Sequence, residues 1–201
     1  MPQHLLGGLH VAILATDGFE QSELADPLHA LQEAGVITKI VAPRRGAIQG
    51  FNHDIPADTF AVDLTLDEAR ADDFDAVLLP GGERNAAALR GHEAAQSFVR
   101  QIDGEGKPVA AICHAPWLLI SAGLVEGRTL TSVPHLEKDV CQAGGRWVDE
   151  AARVDDHWVT SRTPRDIPVF NERFMELLAR RTRRSVVGTA DEEPSAAATG
   201  G

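Results

Sequence analysis

The stretch Val109-Ala110-Ala111-Ile112-Cys113-His114-Ala115-Pro116-Trp117-Leu118-Leu119 decides how this chain is read. Its first half is apolar, alanine-rich and partly β-branched, the composition of a strand buried on both faces. Its second half carries apolar residues at helical spacing and ends near Ala122-Gly123, a helix stop. Cys113 stands at the junction. A cysteine on a tight strand-to-helix turn is lifted out of the sheet toward a helix N-terminus, the geometry that carries the serine of a nucleophile elbow. The helix end offers unpaired N–H groups and partial positive charge, so Cys113 is expected to have a lowered pKa. The alternative is a small packed thiol, which most free cysteines are.

Working outward, strands and helices alternate. Strand patterns fall at residues 9–15, 36–41, 73–79, 109–112, 129–131 and 158–161, with short extended pieces at 51–56 and 61–64. Helical patterns fall at 19–34, 92–103, 114–122, 132–143 (with Ser132 as its cap) and 168–183. Trp147-Val148 and Val154-Asp155 read as a hairpin around residues 149–153. The alternation implies one α/β domain, a doubly wound, mostly parallel sheet with helices on both faces. Residues 1–184 form that domain, and 185–201, small and polar toward the end, read as a disordered tail. In such sheets the site lies beyond the carboxyl ends of the strands, where Cys113 and Gly81-Gly82 both fall.

Composition narrows the function. With 201 residues and 43% apolar content, one domain with a sizeable core is affordable. No apolar run is long enough to span a bilayer, and the first residues lack a signal-peptide pattern. Two cysteines make no disulfide framework, so a reducing, cytoplasmic setting is expected. The net charge of −11 argues against nucleic acid as a partner, and the cluster Arg180-Arg181-Thr182-Arg183-Arg184 reads as a solvated helix end. No metal-ligand spacing and no phosphate loop occurs, so neither a metal nor an organic cofactor is expected.

Several residues can join Cys113 in a site. Glu20 and Glu23 are three apart in the first helical pattern and so share a face. An ionised carboxylate beside a thiolate would repel it, whereas a protonated one would donate to it, so Glu23 must be neutral when Cys113 is charged. Gly81 and Gly82 allow backbone N–H groups to approach a substrate, and the N–H groups of Gly82 and His114 are candidates for an oxyanion hole. His114 has an acid–base group suited to neutral pH, although adjacent residues on an elbow point different ways. Arg162 is read as either an anion holder or a structural ion pair. Cys141, Trp117 and Trp147 are expected to pack in the core or, for the tryptophans, at an interface.

Four segments together, 111–115, 79–82, Phe19-Glu20 with Glu23, and 160–164, resemble the PfpI branch of the ThiJ/PfpI superfamily. The resemblance runs from about residue 9 to residue 178. It implies a flavodoxin-like fold akin to class I glutamine amidotransferases and a homodimer or larger homo-oligomer. Members are described as intracellular proteases, general stress proteins, glyoxalases and protein deglycases. It places Glu23, four residues before Pro27, as the acid that hydrogen-bonds the nucleophilic thiol. The protease-like proposal for the family also needs an acid four residues after the second glycine, and that position is Ala86 here. Peptidase activity is therefore disfavoured. The expected function is a cysteine-dependent stress enzyme acting on small reactive carbonyls or glycated substrates, with Cys113, His114 and Glu23 catalytic and Glu20, Gly81, Gly82 and Arg162 supporting. An oxidation-sensing stress protein or chaperone built on the same thiol is the alternative.

Overall fold

The computed structural model describes residues 6–188. In chain order the elements are β1 (His10–Leu14), β2 (Phe19–Glu20), α1 (Gln21–Glu33), β3 (Ile37–Ala42), β4 (Ala47–Asn52), β5 (Ile55–Ala61) and β6 (Leu64–Thr65). There follow β7 (Ala76–Leu79), α2 (Glu83–Arg90), α3 (Glu93–Gly104), β8 (Val109–Ile112), α4 (Pro116–Ser121), β9 (Thr129–Leu130) and α5 (Glu137–Gln142). The last are β10 (Arg146–Trp147), β11 (Ala152–Asp155), β12 (Trp158–Ser161) and α6 (Ile167–Gly188).

Seven strands form the main sheet in the order β11-β12-β8-β7-β1-β3-β6, parallel throughout except for β11. β1, β7, β8 and β12 are buried almost end to end, which is why they read as continuous apolar runs. Successive side chains go to opposite faces. Leu14, Val77, Leu79, Val109 and Ala111 meet Phe98, Val99, Ile102, Leu118 and Leu119 from α3 and α4. Ile13, Ala76, Leu78, Ala110 and Ile112 meet Leu24 and Leu31 of α1 and Phe170, Phe174 and Leu178 of α6. The sheet is thus covered on both sides, the doubly wound α/β class the alternation implied.

Several local expectations are corrected. Phe19 and Glu20 do not open the first helix; they pair in parallel with Gly50 and Phe51 as β2. β4 and β5 form an antiparallel arm whose turn, His53-Asp54, has His53 at φ 57°. Residues 83–90, left without an element by the sequence reading, form α2. Residues 147–155 are not a hairpin: β10 pairs with β9 in a separate two-stranded sheet, and β11 pairs with β12. Ser132 caps no helix, its hydroxyl instead accepting the Trp147 indole N–H at 3.0 Å. Cys141 is exposed on α5 rather than packed. The basic cluster at 180–184 is not a helix end, since α6 continues to Gly188. Of the expected tail, 185–188 belong to α6, and 189–201 lie outside the described residues. No helix among the described residues is long and apolar enough to cross a membrane.

At the amino ends of the strands, opposite Cys113, Asp103 gathers three donors. It accepts from Arg128 at 2.9 Å and the Trp158 indole at 2.6 Å, and pairs with His157 Nε2 at 2.8 Å. The Arg128 guanidinium also lies over the Trp158 ring, 4.2 Å from its centroid. Removing the carboxylate leaves all three groups without their shared acceptor in a largely buried place. We expect Asp103→Ala to lower unfolding stability by about 2–4 kcal/mol, measured by urea denaturation. A loss under about 0.5 kcal/mol, the usual size of a surface effect, would show that the cluster is not structural.

Candidate active site

The chain turns sharply after β8. Cys113 has φ 63°, a left-handed conformation unusual for a residue with a side chain, and such strain costs on the order of 1–3 kcal/mol. Two bonds hold it there: the Cys113 N–H donates to Ser161 O and the Val133 N–H to Cys113 O, each at 3.0 Å. The left-handed turn also brings neighbours together that the sequence reading expected to diverge. Cys113 Sγ lies 3.2 Å from His114 Nδ1.

Glu23 approaches from α1. Its residue is fully buried, and Pro27, four residues on, offers no N–H to the Glu23 carbonyl. Oε2 accepts the Gly81 N–H at 2.9 Å, and the carboxyl is in hydrogen-bonding reach of the Cys113 thiol. Burial, and then the charge of Glu20, push the Glu23 pKa up to about 8 despite those two hydrogen bonds. Glu23 is therefore protonated at neutral pH.

The thiol departs from expectation. Burial, and then the Glu23 charge, push the Cys113 pKa up, against the N–H groups of Gly82 and His114, which favour thiolate. The helix that was to lower it, α4, has only six residues and begins three positions later, at Pro116. Its dipole cannot outweigh dry surroundings. With Glu23 neutral the carboxylate repulsion disappears, and burial remains as the main force that keeps the thiol protonated.

The two glycines are sterically required. A Cβ on Gly81 would meet Glu23 Oε2, come to 2.6 Å from Cys113 Cβ and to 2.8 Å from Ile112 O. Gly82 has φ 87°, and a Cβ there would meet Gly18 O and come to 2.7 Å from Phe19 Cα and Glu20 N. No side chain fits between the thiol, α1 and β2.

A cavity of about 610 Å³ opens over the sulfur, with Glu20, Glu23, Gly82, Cys113 and His114 among its walls. Glu20 is the last residue of β2, and its carboxylate accepts the His53 N–H at 3.0 Å. It thus ties the arm turn to the site instead of lying on a helix beside Glu23. Arg162 does not reach the cavity. Its guanidinium is bidentate to Asp166 at 3.0 and 3.1 Å and bonds Asp149 at 2.7 Å, so it is a structural pair that pins the segment after β12. Arg165, Phe51, His53 and Arg84 line the cavity and were missed by the sequence reading. Arg165 stands one residue beyond the 160–164 motif, and the others belong to the arm and to α2, whose sequences carry no clear pattern. Trp117 is half-buried; its indole donates to Asp139 at 2.6 Å and its ring faces His114. Trp147 packs against the core. No cluster of three or more potential metal ligands occurs among the described residues.

A cysteine on a strained turn at the carboxyl end of a central parallel strand, with a buried acid at the sulfur, defines a cysteine-elbow protein of the doubly wound α/β class. The chain belongs to the DJ-1/PfpI family, whose model matches residues 9–177. It is 41% identical over 170 residues to the protein called deglycase PfpI of Pyrococcus furiosus, covering 85% of this chain and 99% of that one. It is 40% identical over 170 residues to protein/nucleic acid deglycase 2 of Escherichia coli, covering 84% and 96%. Among solved structures it is similar to a two-domain Anabaena variabilis protein with DJ-1/ThiJ/PfpI-like and ferritin-like domains (TM-score 0.78, 31% identity, covering 93% of this chain and 50% of that one). It is also similar to Drosophila melanogaster DJ-1beta, with TM-score 0.77 and 25% identity over 90% of this chain and 97% of that one.

The raised Glu23 pKa has a consequence for stability. The carboxyl ionises near its ordinary 4.5 when unfolded and near 8 when folded. Between those values the folded chain holds more protons, so this contribution is fully present below about pH 4.5 and is lost as pH rises through about 8. Glu23→Gln removes the titration. We expect the variant to gain stability relative to wild type steadily from about pH 5 to pH 8, read by urea unfolding at each pH. A constant difference across that range would mean that Glu23 is ionised throughout.

Proposed function

We propose that this protein is a cysteine-dependent hydrolase of the deglycase type, acting on reactive carbonyls: 2-oxoaldehydes and their early adducts on amines. The observation that supports it is the sulfur of Cys113 held between a protonated acid, Glu23, and two backbone N–H groups, those of Gly82 and His114. The deglycase names of relatives at 40–42% identity point the same way.

The chemistry follows from the proton positions. The Cys113 thiol first gives its proton to water; the thiolate then adds to the aldehyde carbon, and the carbonyl electrons move to oxygen, which takes the Glu23 proton. With an amine adduct, sulfur displaces the amine at the same carbon, and the amine leaves carrying a proton. Either route gives a hemithioacetal. Glu23, now ionised in a dry site, is a strong base for the hemithioacetal C–H. It returns that proton to the adjacent carbonyl carbon while the hemithioacetal hydroxyl proton passes to the adjacent oxygen, forming a 2-hydroxy thioester. Water then adds its hydroxyl to the acyl carbon, sulfur leaves with the proton, and a 2-hydroxy acid is released. The N–H groups of Gly82 and His114 are oriented to hold the negative oxygen of each addition. Peptidase chemistry asks for more, since an amide needs an oriented imidazole, and Ala86 supplies no carboxylate for one.

One feature also suits oxidation sensing. A neutral Glu23 and two N–H groups at one sulfur would hydrogen-bond a sulfinate as well as a thiolate. Under limiting peroxide this reading expects sulfinate at Cys113 before Cys141, although Cys141 is the exposed thiol.

Methylglyoxal turnover and amine release from methylglyoxal-treated peptides test the main reading. We expect Cys113→Ala to fall to background and Glu23→Gln to lose about a hundredfold or more, with casein uncut by wild type. Turnover by Cys113→Ala within about tenfold of wild type, a loss of under 1.4 kcal/mol in barrier, would remove the nucleophile.

A further inference from the structure

His114 sits in surroundings the reaction scheme does not explain. Its Nδ1 faces the Cys113 sulfur at 3.2 Å, while its Nε2 is buried and has no hydrogen-bond partner among the described residues. An imidazole serving as base toward the thiol needs Nε2–H bonded to an acceptor, as the triad histidine has behind it. No described residue supplies one. Instead the ring is packed by two others. The His135 ring lies 4.7 Å from it and the Trp117 ring 5.5 Å, with Trp117 and His135 6.3 Å apart. Trp117 is itself fixed, its indole bonded to Asp139 and the Arg90 guanidinium 5.1 Å from its ring centroid.

We propose that His135 and Trp117 hold the His114 imidazole by packing, as the neutral Nδ1–H tautomer, so that it donates to the Cys113 sulfur and leaves proton transfer to Glu23. The inference rests on the reading of Cys113 and Glu23 as the reacting pair. The tautomer follows from counting partners. A buried N–H without an acceptor is rarer than a buried lone pair without a donor, so the proton belongs on Nδ1, where the sulfur accepts it. The charges around the ring agree. Burial and His135 push the His114 pKa down to about 4, and only Glu83 works the other way. Asp139 and Arg90 contact Trp117. His135 thus acts through His114 and is a positioning residue, on the 134–136 turn.

Nitrogen shifts of ¹⁵N-histidine-labelled protein report tautomer and charge directly, whether or not the enzyme turns over. We expect His114 of wild type to be neutral and Nδ1-protonated from pH 8 to about pH 5. His135 is exposed, so its substitutions spare the core. His135→Phe keeps a ring and should keep that signature. His135→Ala should mix the tautomers and raise the His114 titration by about one unit or more toward 6.5. An Nε2–H tautomer in wild type, or a His135→Ala spectrum equal to wild type, would overturn the proposal. Turnover adds a second readout. Asn places an N–H where Nδ1 stands, so His114→Asn should keep methylglyoxal activity within about tenfold, and His114→Ala should not. Equal losses in the two would also count against it. If wild type turns over no carbonyl, the proposed function fails, and the nitrogen shifts still decide the clamp.

Discussion

The burial of two acidic groups side by side, Glu23 and Cys113, governs this site: each holds its proton more tightly than usual. Two acidic groups in a dry pocket cannot both ionise. Burial raises both, so whichever keeps its proton permits the other its charge. Everything nearby serves that balance. Gly81 donates to the carboxyl, Gly82 and His114 donate to the sulfur, and the left-handed turn at Cys113 sets the thiol among them. Lose the carboxyl proton to solvent and the thiolate loses its support. Lose the N–H groups and burial alone decides, leaving an inert thiol.

The frame was legible because burial leaves marks in composition. Val109–Ile112 and Ala76–Leu79 are covered on both faces and read as apolar runs, and Cys113 stands out because the run ends on it. The glycine pair was visible as the stop after a buried strand, the resemblance chose Glu23 over Glu20, and crowding and depth give both a physical reason. Less was visible where packing leaves no pattern. The arm of β4 and β5 is largely exposed, so its strands lack a clear apolar alternation. α2 begins directly after Gly82 and carries Ala86 and neighbours that could belong to a turn or a helix. The 146–155 segment contains two short strands, and nothing local says that they pair with different partners. Arg162 could be read either as an anion holder or as a structural ion pair, because Asp149 and Asp166 are brought to it only by folding. The thiol acidity was overestimated because the length of α4 and the depth of the sulfur are tertiary facts.

The two ends of the sheet divide the work. At the amino ends, Asp103 satisfies Arg128, His157 and Trp158 at once, an arrangement that favours the fold. At the carboxyl ends, a strained cysteine, a buried acid and an imidazole nitrogen with no partner among the described residues all cost stability. Strain of this kind persists only where surrounding structure over-determines it. Here the backbone bonds from Ser161 and Val133 do so, and the buried strands on either side of β8 hold them rigid.

The crowding at Gly82 reaches further than the pocket. The main chain of Gly18, Phe19 and Glu20 presses against Gly82, and no side chain can be introduced there without displacing β2. Such a wall offers almost no material for variation. Shape and charge preferences must therefore be written on the rim, in the arm turn at His53-Asp54 and in the 163–165 segment, which line the same cavity. A lineage built on this scaffold can vary what its cavity admits while the turn that holds the cysteine stays the same, because the two are built from different kinds of atom.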